Sequence, residues 1–230
     1  MRKLGWAFTI GLILVQPGCL IFDKTGGLEM SRDKTALPAN ESARACKTVG
    51  ENLANQGHVE NAVEQLLKAR EYDPKIDVSS SLARLYGVLG KDKLALDEYT
   101  RAVAANSKDT ALLNDLGYYH YQRGNWPEAK TWFEKTVALD AKMDRAWINL
   151  GLTLGMMEKY DEALRAFEKA VRPAEARCNL AFVMMTQGKR DKARELYVEA
   201  LDLDSGLALA RTAIARLDNP AQDDQSQKRK

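Results

Sequence analysis

The chain predicts an all-α fold, an α-solenoid of about five antiparallel helix-turn-helix repeats closed by a C-terminal capping helix. Three observations predict it. An alanine returns at Ala62, Ala95, Ala129, Ala163 and Ala193, at spacings of 33, 34, 34 and 30 residues. Four positions after each comes a large apolar residue (Leu66, Tyr99, Phe133, Phe167, Tyr197), and three further on a small one (Ala69, Ala102, Thr136, Ala170, Ala200). Offsets of four and seven trace one face of a helix, and a return near 34 residues marks a helical-hairpin repeat. Thirteen residues before each alanine stands an aliphatic residue (Val49, Leu82, Leu116, Leu150, Leu180), always followed by a small one (Gly50, Ala83, Gly117, Gly151, Ala181). Between the two segments sits Gly57, Gly90, Gly124 or Gly188, with Glu158 in that place in the fourth unit.

The residues assign a role to each element. The turn glycine ends the first helix of a pair, where a positive φ is often needed. The small residue after the aliphatic and the alanine of the second helix let two antiparallel helices approach closely. The large residue four positions on fills the wedge against the next pair. No unit buries its apolar face alone, so five in series are expected to share one continuous core. The last interval is four residues short, so KAVRPAEARCNL joins the fourth and fifth units with almost no loop.

These residues resemble the tetratricopeptide repeat over Ala43 to Ser205. The fourth unit carries the pattern most fully, with Trp147, Leu150, Gly151, Ala163, Phe167 and Ala170, and the third carries Leu116, Gly117, Gly124, Ala129 and Phe133. The family's repeat-ending proline appears only at Pro74, its early aromatic only at Trp147, and the first unit has Cys46 and Leu66 where larger groups are usual.

The chain opens MRKLGWAFTIGLILVQPGC: two basic residues, an apolar run from Leu4 to Val15, then Gly18-Cys19. That run is shorter than the roughly 20 residues that span a bilayer and fits a secretory signal. Glycine before cysteine resembles the bacterial lipobox, which implies cleavage after residue 18 and lipidation of Cys19, although Gln16 and Pro17 depart from the usual pattern. An uncleaved anchor from Leu4 to Phe22, a soluble exported form and a false signal are the rival readings. Arg2 and Lys3 stay inside, so exported forms face the periplasm. By the enterobacterial sorting rule, Leu20 in place of aspartate favours the outer membrane. Residues 19–40 read as a flexible tether, 43–205 as the solenoid, 206–218 as the cap over the last apolar face and 219–230 as a disordered tail.

Composition narrows the function. Formal net charge is +2, with 34 basic and 32 acidic residues, so no phosphate-tracking surface is expected and no nucleic acid is a partner. Cys46 and Cys178 fall in the first and fifth units, too far apart for a bridge. There are two histidines. His58 follows a turn glycine and is expected in solvent; His120 reads as partly buried and hydrogen-bonded. No zinc spacing, phosphate loop or nucleophile elbow appears. Met156, Met157, Met184 and Met185 read as packing residues. No enzyme activity, cofactor or metal is expected.

Function then rests on the inner face. In the family this groove is lined by fixed positions of each first helix, and the resemblance assigns protein binding to the matching residues here. These are Arg44 and Lys47, then Arg84, then Asn114, Tyr118, Tyr121 and Gln122, then Ile148, Leu152 and Met156, and last Phe182 and Met185. The groove is expected to begin charged, turn aromatic and end apolar, an end that is costly to leave in water unless the fourth and fifth units bury it themselves. The chaperone-type carboxylate clamp is not matched, because Lys47 is followed by Glu51 and its later places hold Ser81 and Asp115. The expected function is a membrane-tethered, extracytoplasmic adaptor that holds an extended or helical protein segment in this groove, in a pilus, secretion or envelope complex. The layout is similar to the lipoproteins of Flp-type (tight-adherence) pilus assembly and to pilotins. The alternatives are a self-associating structural module, a homo-oligomer, and a non-catalytic subunit of an envelope enzyme complex.

Overall fold

A computed structural model describes residues 37–219, and among them every regular element is an α-helix. Eleven follow in order: α1 Ala39–Asn55, α2 Val59–Tyr72, α3 Ser79–Val88, α4 Asp92–Ala105, α5 Thr110–Gln122, α6 Trp126–Leu139, α7 Asp144–Met156, α8 Tyr160–Ala170, α9 Pro173–Thr186, α10 Arg190–Leu203 and α11 Ala208–Asp218. Successive pairs α1/α2 to α9/α10 form five hairpins, each packs on the next, and α11 packs on α10. Helix α1 starts four residues before Ala43, inside the stretch expected to be tether. The signal, Cys19, most of the tether and nearly all of the tail lie outside the described residues.

Three of the five hairpins close on one steric fit, with a glycine as the socket; the second and fifth have Ala83 and Ala181 in that place. A Cβ added at Gly151 would lie 2.5 Å from the Phe167 ring, one at Gly117 2.8 Å from the Phe133 ring, and one at Gly50 2.9 Å from Leu66. Phe133, Phe167 and Leu66 are completely buried, as are Ala62, Ala95, Ala129, Ala163 and Ala193. The small residue on the first helix is thus a socket, and the large residue four positions after the alanine is the knob that fills it.

The turns follow one rule as well. Gly124 has φ +72° and, in the equivalent place, Glu158 has φ 61°. One residue later the backbone N–H donates to the carbonyl five back, Asn125 to His120 at 3.0 Å and Lys159 to Leu154 at 2.9 Å. This is the left-handed helix stop with its return hydrogen bond. Glu158 adopts it at the steric cost glycine avoids.

The missing repeat-ending prolines have a replacement. At the exit of α2, α4, α6 and α10, Asp73, Asn106, Asp140 and Asp204 accept a hydrogen bond on Oδ1 from the N–H two residues on, at 2.9, 3.3, 3.0 and 3.0 Å. Such a side chain mimics a backbone turn. The short join has no counterpart. There Val171 and Arg172 alone separate α8 from α9, Pro173 opens α9, and Glu175 accepts from the Arg172 N–H at 3.2 Å. The Arg172 guanidinium reaches Asp204 at 3.3 Å, tying the join to the end of α10.

The buried apolar residues form three clusters in series instead of one continuous core. The first runs from α2 to α5, the second from α6 to α9, and the third from α9 to α11. Helix α9 serves two of them, with Leu180 and Val183 in one and Cys178, Ala181 and Met184 in the other. A helix apolar all round is one buried on several sides. The first division falls within α5/α6 and is bridged by half-buried side chains, Trp132 of α6 packing on the first cluster and Tyr121 of α5 on the second.

Polar locks tie neighbouring hairpins. Arg70 of α2 holds Glu98 of α4 through two hydrogen bonds of 2.6 and 2.7 Å and also reaches Ser79 at 3.2 Å. Burial raises the Glu98 carboxyl, but the bonds and charge of Arg70, with Ser79 and Arg101, outweigh it and leave the group below its ordinary value. Arg123 lies 3.8 Å over the Tyr119 ring, pairs with Asp92, and donates to the Gly87 carbonyl at 3.0 Å. His120 beside it is half-buried, but its Nδ1 has no hydrogen-bond partner, a correction to the expected satisfied histidine. Burial lowers its pKa, so the neutral ring is favoured.

Two outcomes follow from this packing. Gly151→Val drives a side chain into the Phe167 ring and should cost about 2–3 kcal/mol, read as a lowered midpoint of urea unfolding by circular dichroism. Glu98 has a depressed pKa in the folded state, so its stabilising contribution is complete above its ordinary value of 4.5 and is lost as pH falls through the folded value. Glu98→Gln should be less stable at pH 7 and should lose less stability than the parent between about pH 5 and 3; parallel pH profiles would reject the lock.

Candidate protein-binding site

The first helices of the hairpins lie side by side, α3 against α5, α5 against α7 and α7 against α9. Their free faces make one continuous surface. Between α1 and α3 a hollow of about 380 Å³ is lined by Glu51, Ala54, Asn55, Ser81, Arg84, Leu85 and Val88. Between α3 and α5 a second, of about 220 Å³, is lined by Arg84, Val88, Asp115, Tyr118 and Gln122 above Tyr99 and Tyr119. At the far end α9, α10 and α11 enclose a third of about 440 Å³, lined by Phe182, Met185, Arg190, Tyr197, Ala213, Arg216 and Leu217.

The expected groove residues divide into five groups, four on this surface and Asn114 beneath it. Arg84, Tyr118 and Gln122 meet in the second hollow, and Phe182 and Met185 meet in the third. Arg44 is exposed, and Lys47 is drawn toward Glu51 at 3.8 Å along its own helix. Ile148, Leu152, Met156 and Tyr121 are half-buried against the second core cluster, so much of the apolar end is sealed from within. Asn114 must be corrected: it is 2% exposed, and its Oδ1 accepts from Asn149 Nδ2 at 3.0 Å, so it joins α5 to α7 instead of facing a partner. The sequence places it on the inner face, but a polar residue there can turn toward its neighbour helix.

On this face the large exposed apolar groups are few, with Val88 and Tyr118 together in the second hollow and Phe182 in the third. Val88 is 74% exposed, Tyr118 45% and Phe182 56%. Tyr118 stacks on Tyr121, ring centres 6.2 Å apart and planes 18° from parallel, which fixes a flat aromatic shelf. Burial, then the nearby Tyr118, raises the Tyr121 phenol above its ordinary value, so it stays protonated and able to donate. Asp115 stands 3.9 Å from both Arg84 and Arg145. It takes its place between the two cations and sets a negative point amid positive ones.

Sequence reasoning left several of these residues unassigned. Val88 is not one of them: the family's inner-face register, shared with Gln122 and Met156, assigns it to the groove. Arg190, Tyr197, Ala213, Arg216 and Leu217 gave no signal, because they come together only when α11 folds across α9 and α10. Among the described residues no group of three or more His, Cys, Asp and Glu side chains is placed to hold a metal ion, and Cys46 and Cys178 are free thiols. No helix among them is long and apolar enough to cross a membrane.

Family models described as tetratricopeptide repeat match residues 109–174 and 174–203. The Type IV pilus assembly protein PilF of Pseudomonas aeruginosa is 31% identical over 147 residues, which are 60% of this chain and 56% of that protein. A Protein SGT1 homolog of Oryza sativa subsp. japonica is 32% identical over 76 residues, 33% of this chain and 21% of that one. The aligned part therefore spans little more than half of the first relative and about a fifth of the second. Among solved structures, Pseudomonas aeruginosa PilF superposes with a TM-score of 0.59 at 23% identity, covering 82% of this chain and 99% of that one. A tetratricopeptide repeat protein from Parabacteroides merdae gives 0.61 at 18%, covering 77% and 72%. YrrB, described as having an unusual peptide-binding site, gives 0.55 at 23%, covering 75% and 92%.

Tyr118 and Leu152 share an equivalent register but differ in burial, and substitution separates them. Leu152→Asp places a charge against the second core cluster and should cost about 2–4 kcal/mol, whereas Tyr118→Asp should stay within roughly 0.5 kcal/mol of the parent. Thermal unfolding of both variants checks this; equal losses would mean the two positions are packed alike.

Proposed function

We propose that this chain, which carries tetratricopeptide repeats and is similar to the pilus assembly protein PilF, is a membrane-tethered scaffold that takes a protein segment along the face of its first helices. The carrying observation is that this face leaves the large side chains of Val88, Tyr118 and Phe182 in solvent while Ile148, Leu152, Met156 and Met185 are half-buried. Large side chains that pair apolar area with low conformational freedom are what interface centres use. Hollows beside them give a partner side chain somewhere to sit. The role is binding, without catalysis, in assembly of a pilus or related envelope complex, and the relationship to PilF supports that setting.

The tether is the finer part of the reading. Cleavage before Cys19 and lipidation of its thiol would leave a segment of about 20 residues between membrane and α1, enough for the solenoid to reach partners several nanometres away. The solenoid would face the periplasm, at the outer membrane by the nature of Leu20.

Self-association is the second reading, and one observation favours it. Val49 is 47% exposed, whereas its counterparts Leu82, Leu116, Leu150 and Leu180 are all 4% exposed or less beneath the preceding hairpin. The stacking face of the first hairpin is open among the described residues.

Photocrosslinking in the native host from a probe at Gln122, followed by membrane fractionation, tests the scheme. The expected result is a membrane-bound chain crosslinked to an envelope protein, with the crosslink lost in Val88→Asp/Tyr118→Asp and membrane association lost in Cys19→Ala. A crosslink only to a second copy would favour self-association. Membrane association unchanged in Cys19→Ala would remove the lipid tether.

A further inference from the structure

A histidine occupies a core position of the third hairpin. His120 stands nine residues before Ala129, and the same place in the other units is filled by Leu53, Tyr86, Leu154 and Met184. Tyr86, Leu154 and Met184 are at most 7% exposed, and Leu53 packs on the first cluster. Among the described residues, His120 Nδ1 is the one buried side-chain nitrogen or oxygen without a hydrogen-bond partner. The backbone of the same residue anchors the turn, its carbonyl accepting from the N–H groups of Arg123 and Asn125 at 3.1 and 3.0 Å. This is also the hairpin in which the first apolar cluster gives way to the second.

We propose that His120 makes the third hairpin acid-sensitive: a second proton on its ring loosens α5 from α6 and, with them, the Tyr118–Tyr121 shelf. The neutral ring can carry its proton on Nε2 and leave a lone pair on Nδ1, whereas the imidazolium has a donor at both nitrogens. A donor on Nδ1 is buried with nothing to accept from it, and a charge stands where the other hairpins keep an uncharged side chain. Burial, the largest influence, holds the ring below its ordinary value of 6.5; Glu128 of α6 pulls it up, and Arg123 at the end of α5 pushes it down. The other helices packed on α5, namely α3, α4 and α7, bring no further charged group to bear on it. Asp92 of α4 is held by Arg123 and Tyr119. Because the folded pKa lies below the unfolded one, the stabilising contribution is complete above 6.5 and is lost as pH falls through the folded value. That loss begins above the range in which Glu98 acts. The device works whether or not a partner lies in the groove.

The test titrates the two histidines of the full chain by NMR, the His120 resonance being the one lost in His120→Leu. Urea unfolding and amide hydrogen exchange are then followed from about pH 7.5 to about pH 5.5. The expected His120 midpoint lies below 6.5. The parent's unfolding midpoint should fall over that range, while His120→Leu, which supplies the side chain found at Leu154, holds steady. As pH falls, exchange in α5 and α6 should rise severalfold relative to His120→Leu, with α1 and α2 unchanged. His120→Gln is the second variant; it carries no titrating ring and should be equally flat should the leucine variant misfold. A His120 midpoint at or above 6.5, or an acid loss that persists in both variants or disappears in His58→Gln, would overturn the proposal. Acceleration spread evenly over all five hairpins would overturn it too, because the sensitivity would then not belong to α5 and α6.

Discussion

Everything in this solenoid depends on how closely the two helices of a hairpin can approach, and that is set by a small residue, alanine in two hairpins and glycine, with no side chain at all, in three. Where Gly151 faces Phe167 and Gly117 faces Phe133, the ring lies on the backbone of the partner helix with no room for even one methyl group. The alanines at Ala163 and Ala129 keep the opposite wall equally low. Once a pair is locked at this distance, the aliphatic at Leu150 or Leu116 points at the preceding hairpin, and stacking follows. Protein interiors are packed so densely that a contact of this kind acts as a gauge for the spacing of the whole array.

Between hairpins the burden passes to polar groups. Arg70 bridges to Glu98, Arg123 to Asp92 and the Gly87 carbonyl, and Asn114 to Asn149. Tyr160 and Gln187, bonded at 2.7 Å, with Gln187 also donating to the Gly155 carbonyl at 2.9 Å, do the same between the fourth and fifth. Each satisfies a donor or acceptor that would otherwise be buried unmet. They also set register, since apolar contacts alone tolerate sliding.

The same geometry rations what the binding face exposes. Half-burial of Ile148, Leu152 and Met156 against the second cluster leaves the middle of the surface nearly closed. The open apolar groups are then Val88 and Tyr118 toward one end and Phe182 at the other. A partner that touched both would have to be extended or helical over several repeats. Charge balances at the first of these ends, where Arg84 and Asp115 line the same hollow.

By itself the sequence determined the repeat, the hairpin partners, the positions of the turns and the socket-and-knob residues, because each is a short-range pattern in which a few residue types serve one backbone geometry. Even Glu158 announced itself by standing where glycine belongs. The Asx turns at Asp73, Asn106, Asp140 and Asp204 were legible in the same way but are masked by the expectation of proline. Tertiary structure decided which inner-face residues stay open. Asn114 and Leu152 share the helical face of Tyr118, yet one bonds to the next helix and the other leans on the core, since side-chain direction within a face depends on what the neighbouring hairpin leaves free. The hollow around Phe182 belongs wholly to tertiary structure. Its walls are three helices that meet only after the cap has folded, and no local spacing encodes the meeting of residues from separate helices.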